Sequence, residues 1–587
     1  MKKEAVAELK NILAQDGPAG WITHYWDTFN QQRQTKMNEW LETKKYVFAT
    51  DTTTTSNSRL PWKNTTTLPK LCQIRDNLHS NYISSLFPND KWLQWEAYDK
   101  ESSSKEKAQT ITAYMDNKAR EGNFRTEVSK MVYDYIDYGN AFAMPIFESR
   151  YVEQNGELVK QFVGPKATRI SPEDIVFNPL ANSFQDTFKI VRSIKSIGEL
   201  KKLAQTEPGH EFWKDALERR ELVKRSMAQY GIDDTNKASS YSVDGFGNLY
   251  EYYMQDYVEI LEFYGDYHDH ESGELKTNRM ITVVDRAVTV RDEPINTYGQ
   301  ITPIYHVGWR FRPDNLWAMG PLDNLVGIQY RIDHLENLKA DAMDLIVHPP
   351  LKIIGEVEAF NWGPGEEIHI DENGDVSEVL KNLNGIIAAE SQIQVLEDKM
   401  ELYAGAPREA AGIRTPGEKT AFEVQTLTNA AGRIFQEKVS NFEVELLEPL
   451  LNGMLEEAHR NFDASDVIRV IDKDLGVRKF QTITKNDITA NGVLRPVGAR
   501  HFAQKAQELQ NLIGIFSSPL SQIIAPHTSG IAVTEYINSV VDLRGWNLFR
   551  PNVAVIEQQE TQRLMNQAQE DLQVEAQTPT DVQQGVQ

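Results

Sequence analysis

Residues 412–420, GIRTPGEKT, carry the most suggestive chemical spacing in the chain. A phosphate-binding loop needs G-x-x-x-x-G-K-S/T, so that successive backbone N–H groups wrap the phosphates and the lysine reaches them. Here Glu418 stands between Gly417 and Lys419 and puts a carboxylate where phosphate would sit. The same residues spell a helix start, with Thr415 as N-cap, Pro416 in the first helical position and Glu418 closing a capping box. Asp472, after the strand-like run VIRVI, resembles the metal-binding acid of an ATPase, but without a phosphate loop it reads as a strand end. His268-Asp269-His270-Glu271 gathers four metal-ligand types, and alternate strand residues share a face. The run leads straight into Ser272-Gly273, however, so a polar hairpin turn accounts for it. There is no G-x-S-x-G, no H-E-x-x-H and no Cys placed beside a His, so the expectation is a non-enzyme without cofactor or metal.

Arg408, Arg414 and Lys419 lie on a Gly- and Ala-rich connection between two long helical patterns. Two readings stand side by side. One is a solvated loop whose charges pair with Glu409 and Glu418. The other is a mobile loop touching a phosphate backbone without reading bases.

Those residues are set in an acidic chain of 587 residues, with 62 Lys plus Arg against 85 Asp plus Glu and a net charge of −23. Such a surface repels DNA and anionic membranes at long range, which leaves only local basic spots for polyanion contact. One cysteine, Cys72, excludes an internal disulfide framework and a Cys-based zinc cluster. The opening MKKEAVAELKNILAQ reads as an amphipathic helix rather than a signal peptide. With no run of 18 apolar residues, the expectation is a soluble protein of a reducing compartment with no membrane partner.

The pattern along the chain predicts α+β architecture. Residues 5–47 read as helix with an aromatic face of Trp21, Tyr25, Trp26, Phe29 and Trp40. Residues 51–69 read as an extended arm, and 70–86 as a helix stopped by Pro88. Helix is predicted again over 105–140, ending at Gly139-Asn140, and strands dominate from Ala141 to about Pro303. Between Pro321 and Val347, Leu325, Ile328, Ile332, Leu335, Ala342 and Ile346 fall mostly at three-four spacing, with Arg331, Asp333, Glu336 and Asp341 on the remaining faces. So narrow a stripe predicts a helix roughly 40 Å long packed on one or two others, stopped by Pro349-Pro350. A short β element with eight acids follows: Glu356, Glu358, Glu366, Glu367, Asp371, Glu372, Asp375 and Glu378. A second helix is predicted from about Ala388 to Tyr403, and a third from Pro416 to about His459 with a kink at Pro449. Strands are predicted over 466–496 and helices over 500–516 and 532–541, before a glutamine-rich tail.

Four stretches in this order resemble the portal proteins, or head-to-tail connectors, of tailed phages, most closely those of short-tailed phages. LHSNYISSLFPNDKW (78–92) is similar to the family's early helix with its Leu-Phe-Pro turn, and YGNAF (138–142) to a Gly-Asn-Ala segment of its wing. Pro303–Ile332, with RPDNLWAMG at 312–320, looks like the approach to the stem. Residues 412–450, with TAFEV at 420–424, resemble the start of the long helix after the tunnel loop.

The resemblance implies a subunit with wing, two-helix stem, small β clip and mainly helical crown, closing into a ring of twelve copies at one vertex of the virion capsid. Residues 1–320 would be wing with an N-terminal helical arm, 321–349 the first stem helix, 350–387 the clip and 388–405 the second stem helix. Residues 406–420 would be the tunnel loop, 421–499 the long kinked wing helix with closing strands, and 500–587 the crown or barrel with its tail. Implied partners are double-stranded DNA in the channel, the terminase large subunit, major capsid and scaffolding proteins, and tail adaptor proteins, with assembly in the host cytoplasm. Acidity suits a conduit, because each neutralised phosphate adds affinity that would stall transport. The acidic clip either docks a basic partner or is simply a set of solvated turns. Two other functions fit parts of the sequence: a head-tail adaptor without a ring, and a packaging ATPase whose phosphate would sit at 412–420.

Overall fold

The computed structural model describes residues 17–50, 64–87, 92–98, 105–154, 157–206, 212–230, 256–269, 272–286, 288–295, 303–347, 349–355, 375–378, 384–404, 434–461, 466–471 and 478–496. In chain order, the first elements are α1 (Gly17–Gln32), α2 (Gln34–Val47), α3 (Lys70–Leu86), β1 (Leu93–Ala97), α4 (Lys105–Glu121) and α5 (Phe124–Asp137). Next come β2 (Asn140–Gln154), β3 (Glu157–Ile170), β4 (Ile175–Phe177), β5 (Lys189–Ser196), α6 (Ile197–Thr206) and α7 (Phe212–Tyr230). Strands β6 (Tyr257–His268), β7 (Leu275–Val284), β8 (Val288–Pro294), β9 (Tyr305–Gly308), β10 (Arg310–Arg312) and β11 (Asn315–Met319) follow. Then come α8 (Val326–Val347), β12 (Leu351–Ile354), β13 (Asp375–Glu378) and α9 (Asn384–Ala404). A helix occupying 434–461 includes a wide π-type turn at Glu443–Leu447 and then α10 (Glu448–Asn461). The last described elements are β14 (Asp466–Ile471), β15 (Arg478–Ile483), α11 (Lys485–Ile488) and β16 (Gly492–Pro496). The fold is thus α+β. Residues 1–466 with 482–496 form one compact unit and 467–481 with 497–587 another.

The first unit is organised by a five-stranded antiparallel sheet, β4-β5-β6-β7-β8. Both faces of its centre are covered, and β6 shows how. Leu261 and Phe263 pack with Ala19, Ile22 and Trp26 of α1, whereas Val258 and Ile260 pack with Leu200 of α6 and Trp213 and Leu217 of α7. Alternate strand residues point to opposite faces, so a doubly covered strand loses the polar half of its pattern. The Trp-rich amino-terminal helix is therefore a lid on this sheet. It is pinned at one end by Arg286, which donates to both oxygens of Glu259 at 2.8 Å and to Asp27 of α1 at 3.1 Å.

Helices α6 and α7 interrupt the strand-dominated stretch predicted for 141–303. A signal for the first was present: Ser196 and Glu199 cap each other's backbone N–H groups at 3.2 and 3.0 Å, the reciprocal box of a helix start. The helix predicted over 105–140 is two helices, broken where Asn123 takes a left-handed backbone (φ 55°).

A second sheet, β3-β2-β9, carries the aromatic core. Phe142, Phe177, Phe184, Trp317, Tyr138 and Trp40 of α2 pack together, with Phe177 and Trp317 stacked at 4.6 Å. His306 stacks on Phe142 at 4.4 Å and lies 3.1 Å from Asn140 Oδ1; burial holds its ring pKa down at about 3, so it is neutral.

Lys189 is buried beside this cluster, its Nζ donating to the Gln185 carbonyl at 3.1 Å and lying 4.7 Å from the Phe184 ring centre. Burial lowers its pKa to about 7, opposed by Asp186. Between pH 7 and the ordinary lysine range near 10.5, the unfolded chain binds a proton that the folded chain lacks, so this residue makes stability rise with pH. The expected result is that wild type gains on a Lys189→Met variant across that window, measured by urea melts at a series of pH values. A constant gap between the two would refute the assignment.

Candidate functional site

Helices α8 and α9 pack together, and their far ends are bridged by the antiparallel ribbon β12–β13, with Leu351 opposite Glu378 and Ile354 opposite Asp375. Helix α8 stops at Val347 because two prolines follow at 349 and 350. Helix α9 buries Ile393, Met400 and Ala404, at seven- and four-residue spacing, which is a single narrow seam. Lys339 of α8 pairs with Glu390 of α9 at 2.7 Å, and Lys70 of α3 with Glu401 at 2.7 Å.

The predicted apolar stripe on α8 is buried at its beginning and bare at its end. Leu325, just before the helix, Ile332 and Leu335 are buried; Ile328 and Ala342 are half-buried, and Ile346 is exposed. Leu338, Met343, Ile346 and Val347 of α8 stand exposed, as do Ile353 and Ile354 of β12, Ile387 at the ribbon end of α9, and Val395, Leu402 and Tyr403 further along it. Large apolar groups at this density are unusual on a free surface.

The faces beside the stripe are not all open to solvent. Gln329, Asp333, Asn337 and Asp341 are buried, and they form a ladder that grips residues 64–68. Asn64 N–H donates to Asp341 at 2.9 Å, Thr66 N–H to Asn337 at 2.7 Å and Leu68 N–H to Asp333 at 2.9 Å. Gln329 and Asn337 side-chain amides return bonds to the Leu68 and Thr66 carbonyls at 2.8 and 3.1 Å. The match is geometric. Four helical residues rise about 6.0 Å and two extended residues about 6.6 Å, so every fourth side chain meets every second peptide. Side chains able to bond a backbone at 329, 333, 337 and 341 were the legible signal, whereas the sequence pattern placed Asp333 and Asp341 only on the faces beside the apolar stripe.

Replacing Asn337 by Leu takes away the partner of both the Thr66 N–H and C=O, whose bonds to it are half-buried. The expected cost is about 1–3 kcal/mol, because solvent can reach part of the freed backbone. A urea midpoint within error of wild type would show that the strap is not held this way.

Of the acids assigned to the clip, Asp375 is exposed on β13 and Glu378 lies on the same strand. Glu356, Glu358, Glu366, Glu367, Asp371 and Glu372 fall outside the described residues, as do Arg408, Arg414, Lys419 and Asp472. The capping box proposed at 415–418 and the helices predicted after residue 500 do too. His268 ends β6, and Asp269 opens a turn in which its carboxylate lies 3.5 Å from Lys276. Among the described residues no group of three or more His, Cys, Asp or Glu could hold a metal ion, and no helix is long and apolar enough to cross a membrane. The effect expected from Pro449 falls in the turn before it, where Glu443–Leu447 is wound wide. A widened turn there is one way a helix accommodates a residue that cannot donate to the ladder.

Compared with known proteins, the chain matches no family model and no curated sequence.

Proposed function

We propose that this chain is the portal subunit of a tailed double-stranded DNA phage: a non-enzymatic ring of twelve copies, through which the genome is packaged and ejected. The observation that carries the reading is the α8–β12–β13–α9 unit. Two long helices joined at one end by a small β ribbon match the stem and clip that the sequence resemblance implies. Their outer apolar side chains are what a head-to-tail contact around a closed ring would cover. The colinear motifs at 78–92, 138–142, 303–332 and 412–450 support the same reading.

In this account α8 and α9 are the stem, β12–β13 the base of the clip, and 406–420 the loop facing DNA through Arg408, Arg414 and Lys419. The acids from Glu356 to Glu378 would meet the terminase motor and then the tail adaptors. Capsid and scaffolding proteins would hold the wing.

Substituting Val395→Glu together with Leu402→Glu places carboxylates on the exposed stem face, where they leave the monomer core untouched. The expected result is loss of the ring, read by sedimentation, with the urea midpoint of the dissociated chain within about 0.5 kcal/mol of wild type. A ring that survives both substitutions would remove this face from the interface.

A further inference from the structure

The ribbon β10–β11 and the helix at 434–461 bring two cations from distant parts of the chain to one aromatic ring. The Arg310 guanidinium lies 4.9 Å and the Lys438 ammonium 5.3 Å from the centre of the Trp309 indole. The indole is buried, with its Nε1–H donating to Tyr82 Oη at 3.2 Å, so it is a fixed platform. Arg310 is exposed and Lys438 half-buried. Among the described residues neither has a carboxylate within 4 Å, and nor has the neighbouring exposed Arg312, which reaches only Met319 Sδ at 3.5 Å. Burial holds the Lys438 ammonium below its ordinary range; Glu437 and Glu445 oppose this from further away, and Arg310 adds to it.

Two like charges held together cost free energy unless an anion sits against them. The omission is notable on a chain with 85 acids and 62 bases, where Arg75, Arg169, Arg220, Arg286 and Lys339 all have carboxylate partners. A carboxylate built into the chain would neutralise the pair permanently. A pair without a carboxylate partner among the described residues suits an anion that comes and goes.

We propose that Arg310 and Lys438 form a binding site for a backbone phosphate of nucleic acid. The guanidinium offers a planar fork to two phosphate oxygens and the ammonium a point charge to the same group, with no base read. The identity of the anion as DNA rests on the portal reading; the site itself rests on the paired cations.

The test is fluorescence anisotropy of the full-length protein with a labelled DNA duplex over a salt series, for wild type, Arg310→Gln with Lys438→Gln, and the exposed Arg310→Glu alone. The expected result is about tenfold weaker binding at low salt in both variants. The slope of log affinity against log salt should be shallower by about 0.9 for each phosphate that is no longer neutralised. Unchanged affinity and slope in Arg310→Glu would overturn the proposal, as would a wild type that binds no duplex. Loss of ring assembly with DNA binding intact would also overturn it, by assigning the cations to a neighbouring copy's carboxylates. Native mass on the same samples separates the two claims: rings with unaltered binding reject the site alone, and weakened binding by a chain that forms no ring upholds the site independently of the ring.

Discussion

An Arg286→Met variant loses about 3–5 kcal/mol of stability, because it removes two charge-assisted bonds from a buried carboxylate. Arg286 and Glu259 are each 1% exposed and joined by two bonds of 2.8 Å. The nearby Arg220 cannot take over, being committed to Asp285 at 3.1 Å and to the Tyr257 carbonyl at 2.7 Å. The same substitution removes the bond to Asp27, so α1 should loosen from the sheet before the rest unfolds. Urea unfolding measures the first effect and amide exchange over 17–32 the second. Adding Glu259→Gln to the variant should return part of the loss, since an amide costs less to bury than a bare charge. A single variant within about 1 kcal/mol of wild type would show that the Arg286–Glu259 pair does not hold the fold this strongly.

Gly139→Ala is expected to cost roughly 2–5 kcal/mol, combining the left-handed backbone penalty with overpacking. The glycine has φ +71°, and a β-carbon there would lie 2.3 Å from the Gly320 nitrogen and 2.4 Å from the Met319 carbonyl carbon. Those are backbone atoms and cannot swing aside. The crossing joins the end of α5 to the chain just ahead of α8, with the Gly139 carbonyl accepting from Trp309 N–H at 2.8 Å. If the portal reading holds, the variant should assemble rings poorly even where it folds, because the approach to the stem is displaced. A urea midpoint equal to wild type would contradict the close approach.

How far the sequence revealed this molecule depended on whether a signal was local. Helix α3 follows from an apolar spacing and a proline, and it lies at Lys70–Leu86 as predicted. Val347 closes α8 because Pro349 and Pro350 forbid continuation. The aromatic face of the amino-terminal helices was visible, but the surface it covers lies more than 150 residues away on β5–β7, and nothing in a window of sequence names that partner. The ladder at 329, 333, 337 and 341 was not anticipated for a different reason: its partner strap lies about 260 residues earlier in the chain, and buried carboxylates become tolerable only when such backbone N–H groups meet them. The pairing of Arg310 with Lys438 has no sequence signature, since two chain segments meet only in the fold.

The central claim is that this chain closes into a ring with an axial channel, and native mass spectrometry of the purified full-length protein, with negative-stain imaging of the same sample, tests it most directly. The account predicts a single closed species of about twelve subunits, viewed end-on as a ring with an open centre. A chain that stays monomeric or dimeric when incubated at high concentration with its capsid and scaffolding proteins would contradict it.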